Sequence, residues 1–248
     1  MRRLLALALA LLLPAHGWAA LGDIAVTDAA ADDANPYTFT ATCSGATLAT
    51  DGLLVVLLAT NNGGTAVNMT GCTADGSAMT EVRDDFKSGG HGTEIFYIKT
   101  PDSSVAISCT WTGSGGAGDF ITAGSICVTG ADQTTPIEAD GTGTGTTDPS
   151  SALVTLTDGA IVVDVVAQDD DSAHTLGADQ TQVFQTQQPV QYGSGYGSYE
   201  SKATAGSVTM SWAGANAAWV QSTAAIKPSG GAPAATYPAA IINNPVRM

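Results

Sequence analysis

Apolar and polar residues alternate along much of the chain, in short segments separated by Gly, Asp, Asn and Ser. In residues 207–212, Val208 and Met210 alternate with Thr209 and Ser211. A period of two places the apolar side chains on one face of a strand and the polar ones on the other. No segment follows the 3.6-residue period of a helix, so the pattern predicts an all-β protein.

Two segments, 53–59 and 161–167, are nearly continuous apolar runs, which are typical of strands buried on both faces. With the alternating segments they predict an antiparallel β-sandwich, jelly-roll-like in form. The predicted strands are 37–42, 53–60, 79–84, 94–99, 104–111, 121–129, 152–156, 160–167, 180–185, 207–212 and 218–227.

A weak internal repeat divides the predicted sandwich into halves of about 36–137 and 150–227. Thr-Asp-Gly followed by an apolar run begins at Thr50 and again at Thr157, 107 residues later. Residues 104–108 resemble residues 207–211, at an offset of 103. We expect two similar halves that bury each other's apolar faces in one sandwich, although shared composition is the alternative explanation.

The segments outside these strands have distinct compositions. Residues 1–19 contain Arg2 and Arg3, then an apolar core too short to span a bilayer, and they predict a signal peptide cleaved after Ala19. Residues 138–150 are rich in Gly and Thr and predict a long loop between the halves. The Pro-rich tail, 228–248, predicts a linker, a loose end or a strand donated to a neighbouring subunit.

The net charge of −15 excludes a typical nucleic-acid-binding protein, because acidic surfaces repel phosphate. No membrane insertion is expected after cleavage of the signal peptide. The chain should therefore act outside the cytoplasm, as a secreted, cell-surface or periplasmic protein.

Four cysteines, Cys43, Cys72, Cys109 and Cys127, predict two disulfides in an oxidising compartment. Three connectivities are open. Pairing of Cys43 with Cys72 and of Cys109 with Cys127 is favoured because it closes the most local loops. A zinc site is the competing interpretation, but the chain has no CxxC spacing.

Two segments resemble a known group of proteins. Thr129-Gly130-Ala131-Asp132-Gln133-Thr134-Thr135-Pro136-Ile137 and the Asp-Gly-apolar strand near Asp158 resemble secreted bacterial and phage-associated β-sandwich modules of the concanavalin-like type. The resemblance covers roughly residues 36–227. It implies an extracellular jelly roll without assigning site residues. The acidic Glu-x-Asp-x-Glu strand of related glucanases is absent.

Aromatic residues are the best candidates for ligand contacts. In 218–227, Trp219 alternates with Val220 and shares a polar strand face with Gln221 and Thr223, so it predicts a platform for stacking a sugar. Tyr192, Tyr196 and Tyr199 lie in a Gly/Ser-rich segment that predicts an adaptable contact loop. Packing under a loop is the alternative for Trp219.

Acidic residues are the candidates for a metal site. Asp169, Asp170 and Asp171 are consecutive and Asp179 follows a short loop, so together they are candidate calcium ligands. The chain has no Asp-x-Asp-x-Asp-Gly loop, however, and a solvated turn after a buried strand is the simpler explanation. No nucleophile elbow accompanies His91 or His174, and no spacing identifies a pair of catalytic carboxylates.

The sequence therefore favours a secreted, non-catalytic binding or adhesion module for an extracellular glycan or surface protein. The alternatives are a structural surface or fibre subunit, which self-associates through edge strands or the tail, and a hydrolase of unseen mechanism.

Overall fold

A computed structural model describes residues 21–32, 34–43, 48–62, 68–87, 90–112, 119–188, 193–214 and 217–230. The predicted signal peptide and residues 231–248 of the tail lie outside these ranges. Within them, no helix has the length and apolar character needed to cross a membrane.

The described residues form seventeen strands and one short helical turn, which confirms the all-β prediction. The first unit comprises β1 (Gly22–Asp32), β2 (Tyr37–Thr42), α1 (Leu48–Asp51), β3 (Leu53–Asn62), β4 (Asn68–Ala74), β5 (Ser77–Ala78), β6 (Thr80–Lys87), β7 (His91–Lys99), β8 (Ser104–Thr112) and β9 (Asp119–Thr129). The second unit comprises β10 (Ile137–Gly145), β11 (Ser150–Thr155), β12 (Ile161–Gln168), β13 (Thr175–Leu176), β14 (Thr181–Gln188), β15 (Gly193–Ser201), β16 (Gly206–Ala213) and β17 (Trp219–Ile226).

Each unit contains two antiparallel sheets. Inner sheet 1 has the order β1-β9-β3-β7-β6, and outer sheet 1 has the order β2-β8-β4-β5. Inner sheet 2 has the order β10-β17-β12-β15-β14, and outer sheet 2 has the order β11-β16-β13. Most successive strands pass from one sheet of a unit to the other, as in a double-sheet jelly roll, whereas β4–β5, β6–β7 and β14–β15 are hairpins within one sheet.

The four sheets stack as four layers because the central strands are apolar on both faces. In β3, Leu53, Val55 and Leu57 pack against Val163 and other residues of inner sheet 2. The alternate residues of β3, such as Val56, pack against outer sheet 1. A smaller core lies between inner sheet 2 and outer sheet 2. The order is therefore outer sheet 1, inner sheet 1, inner sheet 2 and outer sheet 2.

The two units share a strand order when β1 is matched with β10, β3 with β12, β7 with β15 and β9 with β17. The offset of 107 does not describe equivalent positions, however. Leu54 faces outer sheet 1, whereas Ile161, 107 residues later, faces the other unit. Descent from a duplicated half stays a prediction. Each half is a two-layer sandwich in itself, so the expected single sandwich is replaced by four layers.

The prediction of a long loop at 138–150 is wrong, because β10 covers most of that segment and pairs with β17. The glycines of β10 explain its unusual composition. A Cβ atom on Gly145 would lie 2.6 Å from the indole ring of Trp219, and one on Gly143 would lie 3.2 Å from it. Because glycine has no side chain, the alternating glycines leave space on one face of β10 for the indole of Trp219.

The favoured disulfide pairing is also wrong. The bonds join Cys43 to Cys127 and Cys72 to Cys109. Cys72 and Cys109 are direct partners on β4 and β8 of outer sheet 1. Cys127 lies on β9 of inner sheet 1, so its bond to Cys43 joins the two layers. Distance along the chain misled the prediction because β8 lies between β2 and β4 in outer sheet 1, and because β8 and β9 belong to different sheets. Two disulfides indicate an oxidising environment.

Candidate functional site

The outward surface of β2 and β8 in outer sheet 1 is rich in hydroxyl groups and carries no charged residue. Tyr37, Ala41 and Val105 point into the core, so the alternate residues of β2 and β8 point outward. We define the threonine face as these outward residues, namely Thr38, Thr40, Thr42, Ser104, Ala106, Ser108, Thr110 and Thr112.

Strand pairing places the hydroxyl groups of the threonine face in rows. Thr38 is opposite Ser108, Thr40 is opposite Ala106, and Thr42 is opposite Ser104. Thr73 of β4 extends the first row, because it is the partner of Ser108 on the other side of β8. The rows offer hydroxyl donors and acceptors across three neighbouring strands.

A shallow cavity of about 700 Å³ lies within this face. The residues that line it include Thr38, Thr40, Thr73, Asp75, Ala106 and Ser108. The cavity thus extends over β2, β8 and the β4–β5 turn.

The Asp75-Gly76 turn between β4 and β5 forms one rim of the cavity. Asp75 has a positive φ of 48° and Gly76 one of 80°, values typical of a tight hairpin turn. The Asp75 carboxylate accepts a hydrogen bond from the Ala106 backbone N–H at 2.9 Å, and the Asp75 N–H donates to the Ala106 carbonyl at 2.9 Å. Two hydrogen bonds thus hold the turn against Ala106, another residue that lines the cavity.

Four of the nine residues that line this cavity carry a hydroxyl group. Its hydroxyl groups can donate and accept hydrogen bonds, and its one carboxylate can accept them. Among the described lining residues Asp75 is the only carboxyl group, whereas glycoside hydrolysis by the usual mechanism needs two.

Trp219 is not the exposed platform that its alternation predicted. Its side chain is only 5% exposed and packs with Val166, Tyr196 and Trp212 between inner sheet 2 and outer sheet 2. The polar face that it shares with Gln221 and Thr223 is covered by the outer sheet, so polarity there reflects buried hydrogen bonds. Alternation alone does not reveal that a fourth layer is present.

The tyrosine segment is a strand, β15, rather than an adaptable loop. Tyr196 is fully buried, and its hydroxyl donates to the Ser172 carbonyl at 2.6 Å. Burial raises the pKa of the Tyr196 phenol. Tyr199 is half-buried on the opposite face of the sheet, against the core between the units. Tyr192 lies outside the described residues.

Asp170 joins this aromatic cluster at the end of β12. Its carboxylate accepts hydrogen bonds from Gln168 Nε2 at 2.9 Å and from the Ser172 N–H at 3.1 Å, and it lies 3.4 Å from His174 Nε2. The His174 ring in turn contacts Tyr196, with ring centroids 4.4 Å apart. The structure therefore brings Trp219, Tyr196 and Asp170 together, but in a packed interior.

The other acidic candidates lie elsewhere. Asp169 is 3.8 Å from His91 Nε2, Asp171 is exposed, and Asp179 occupies a turn before β14 with a φ of 65°. In the part of the chain that the structure describes, no three His, Cys, Asp or Glu side chains are arranged to hold a metal ion.

A buried carboxylate that the sequence analysis missed connects the layers of the second unit. Asp164 of β12 is fully buried and accepts hydrogen bonds from the Ser198 N–H at 3.0 Å and from the Ser198 hydroxyl. It also accepts from Trp212 Nε1 at 2.8 Å and from Gln221 Nε2 at 2.7 Å. Burial raises the pKa of this carboxyl to about 6, although the four donors oppose the rise. The sequence does contain a signal of this buried carboxylate, because Asp164 is the one charged residue within the apolar run 161–167.

Two further buried ionisable groups lie in inner sheet 1. Glu94 has no hydrogen-bond partner among the described residues, and burial together with nearby carboxylates raises its pKa well above the ordinary value. Burial lowers the pKa of His91, against an opposing effect of Asp169. Neither group is accessible to solvent, so neither is a candidate for catalysis in this conformation.

Comparisons with protein-family models, with curated proteins and with solved structures find no match to this chain.

Proposed function

We propose that this protein is a secreted, non-catalytic binding or adhesion module, and that its threonine face binds a neutral glycan chain. The observation that carries the proposal is the array of hydroxyl groups around Ala106, in a cavity whose described lining residues include a single charged group, Asp75. Hydroxyl groups both donate and accept hydrogen bonds, as the hydroxyl groups of a sugar require.

The distribution of charge supports a neutral ligand. The chain contains 23 acidic and only 8 basic residues, yet the outward positions of β2 and β8 carry none of them. An anionic polymer would be repelled by the protein as a whole, and a cationic ligand would find few carboxylates on this face. An uncharged polysaccharide would not be repelled by the acidic protein and would not need carboxylates on this face.

Export is part of the same proposal. The N-terminal residues have the layout of a signal peptide, and the two disulfides suit an extracellular compartment. Glycans of a cell surface or a matrix would then be the accessible ligands.

The experiment is retention of the oxidised chain, from residue 20 onward, on cellulose, chitin, xylan and amylose, with calcium and with a chelator. The test variant is Thr38→Val with Thr40→Val, which removes two hydroxyl groups and conserves side-chain shape. We expect retention on at least one glycan and an affinity about thirtyfold lower in the variant, since two lost hydrogen bonds cost about 1 kcal/mol each.

A matched control is available on β10. Thr142 and Thr144 are also exposed at alternate positions of one strand, outside the threonine face. Thr142→Val with Thr144→Val should leave retention unchanged. Equal weakening by both pairs, or no retention on any glycan, would contradict the proposal.

A structural subunit is the second candidate, because β11 exposes apolar side chains at the edge of outer sheet 2. Val154 is 55% exposed, and Leu156, just beyond the strand, is 70% exposed. Exposed apolar residues on an edge strand favour pairing with another chain. Sedimentation velocity over a range of concentrations tests this: Val154→Thr with Leu156→Thr should abolish any assembly, and a concentration-independent monomer would exclude it.

A further inference from the structure

The carboxyl group of Glu94, on β7, is fully buried, and neither of its oxygen atoms has a hydrogen-bond partner among the described residues. The fully buried Asp164 of the second unit, by contrast, accepts hydrogen bonds from four donors. Buried polar groups are almost always paired, because an unpaired one costs free energy. Two unpaired oxygen atoms at one buried position therefore point to a ligand that the chain itself does not supply.

Further oxygen atoms surround Glu94. Thr60 of β3 is the partner of Gly92 on β7, and its hydroxyl donates to the Gly92 carbonyl at 3.2 Å. Gly92 has no side chain, and the position of a Cβ atom there would be 2.6 Å from Thr60 Oγ1, 3.3 Å from Glu94 Oε1 and 3.8 Å from the Asp85 carbonyl oxygen. Oxygen atoms from three neighbouring strands thus converge beside Gly92.

A second carboxyl group lies next to Glu94 on the same sheet face. Asp84 of the edge strand β6 is the direct partner of Glu94, and the Cβ atoms of direct partners are about 5 Å apart. On that face Leu58 and Phe96 pack against outer sheet 1, which covers the middle of the sheet. Asp84 is exposed, so it lies on the solvent side of the buried Glu94.

The charged groups that act on Glu94 are all acidic. They are Glu81, Asp84 and Asp85 of β6, and together with burial they raise the pKa of Glu94 well above its ordinary value. The two basic residues of β6 contact β10 of the second unit instead. The described parts of β3 and β4, which also pack against β7, contain no charged residue. A cation would therefore be attracted to Glu94 without competition from a basic side chain.

We propose that Glu94 and Asp84 bind a calcium ion at the edge of inner sheet 1, with the Thr60 hydroxyl and the Asp85 carbonyl as further oxygen ligands. Calcium takes about six to eight oxygen ligands in a flexible geometry, and carboxylates, carbonyls and waters are its usual ones. Two carboxylates also balance the charge of one divalent ion. The site needs only two acidic side chains, which agrees with the lack of any three-residue metal cluster in the described chain.

Calcium is favoured over magnesium because magnesium demands near-ideal octahedral geometry and keeps several of its waters, whereas Glu94 is enclosed by protein. The ion would link the edge strand β6 to the two strands beside it. This inference is independent of glycan binding, because the site lies on a different sheet from the threonine face.

The test is calorimetric titration with calcium chloride of the oxidised chain from residue 20 onward, after removal of metals with a chelator. Two buffers of different ionisation enthalpy count the protons released. Glu94→Gln removes the buried charge and conserves side-chain shape, and Asp84→Asn does the same at an exposed position, where folding is not at risk. Asp171→Asn is the matched control, because it removes an exposed carboxylate from the acidic turn after β12.

We expect one ion per chain with a Kd of about 10⁻⁴–10⁻³ M, as in extracellular calcium modules, and an affinity about tenfold or more lower in Glu94→Gln and in Asp84→Asn. Asp171→Asn should bind as the wild type does. At pH 6 binding should release a proton, because Glu94 retains its proton above the ordinary pKa until the ion displaces it. Calcium should raise the Tm of the wild type and of Asp171→Asn, but not that of Glu94→Gln.

Absence of binding at calcium concentrations up to about 10 mM, tenfold above the weakest expected Kd, would overturn the proposal. Wild-type affinity in Asp84→Asn would overturn it too, and this variant decides the matter if Glu94→Gln does not fold. Loss of binding in Asp171→Asn would place the ion on the acidic turn instead. Binding without proton release would show that the ion does not reach Glu94, and would also overturn the assignment.

Discussion

At the scale of single residues, Asp164 shows how one polar group connects two layers. Its carboxylate holds donors from β15, β16 and β17, so it joins outer sheet 2 to inner sheet 2. The first unit has a disulfide, Cys43–Cys127, between its two layers. A buried carboxylate with four donors therefore connects the layers of the second unit, as a disulfide connects those of the first.

Titration of Asp164 makes its contribution depend on pH. Its pKa is about 6 in the folded protein, against an ordinary value of 3.8, so the folded state retains a proton that the unfolded state has lost. The resulting stabilisation is complete below pH 3.8 and is lost as the pH rises through 6, a change of about 3 kcal/mol.

Asp164→Asn removes this titration and gives the network an amide that lacks the second acceptor oxygen. We expect it to destabilise the protein most at pH 4, by about 1–3 kcal/mol, and progressively less towards pH 7, as the wild type loses its own stabilisation. Urea unfolding at intervals from pH 4 to 7 measures the difference. Asp158→Asn is the control, because that exposed carboxylate accepts a single hydrogen bond from the Ala205 N–H. Parallel stability curves for wild type and Asp164→Asn would contradict the assignment.

At the scale of the elements, the sequence predicted strands where large apolar side chains alternate or run together, and it missed β10, where glycine occupies the buried positions, and β1, which is rich in alanine and aspartate. The apolar run at 53–59 and the alternating segment 207–212 were found because burial of large side chains leaves a clear pattern. In β10 the buried face is filled by the indole of Trp219 from the neighbouring strand, so the strand itself carries only glycine there. Pairing between distant strands, and with it the disulfides, leaves no local signal.

The packing of β10 against the Trp219 indole can be tested by adding one methyl group, at Gly145. A Cβ atom on Gly145 would lie 2.6 Å from the Trp219 ring, which is closer than atoms pack without displacement. We expect Gly145→Ala to destabilise the protein by about 1–3 kcal/mol through overpacking. Thr144→Ala, at the neighbouring exposed position, is the control and should cost less than about 1 kcal/mol. The free energy of unfolding in urea, followed by tryptophan fluorescence, distinguishes the two; similar losses would mean that β10 does not pack against the indole.

At the scale of the whole molecule, the candidate site depends on a feature that no segment of the sequence displays, namely the order of the layers. Polar strand faces beside Trp219 and beside Thr40 look alike in the sequence, yet one is covered by an outer sheet and the other faces solvent. The residues available to contact a ligand are therefore those of the threonine face, because the aromatic candidates Trp219 and Tyr196 are buried. Fold class was predictable because it follows from periodicity, whereas exposure follows from how the sheets stack.

The stacking also determines how the two units respond to reduction. All four cysteines lie in the first unit, but the inner sheets of both units bury one continuous core. Loss of the two disulfides, which span 84 and 37 residues, should destabilise the chain by several kcal/mol, about 4 kcal/mol for each closed loop. Because the core is shared, we expect the second unit to be destabilised with the first.

Fluorotryptophan labelling and ¹⁹F NMR follow the units separately, since Trp111 reports on the first unit and Trp212 and Trp219 report on the second. Upon reduction, the three resonances should lose their native positions at one common urea concentration, lower than in the oxidised protein. A variant with all four cysteines replaced by alanine controls for effects of the reductant and should unfold at a similarly lowered midpoint. A shift confined to Trp111 would show instead that each jelly roll is stable alone, and the interface between the inner sheets would then be a contact between independent domains.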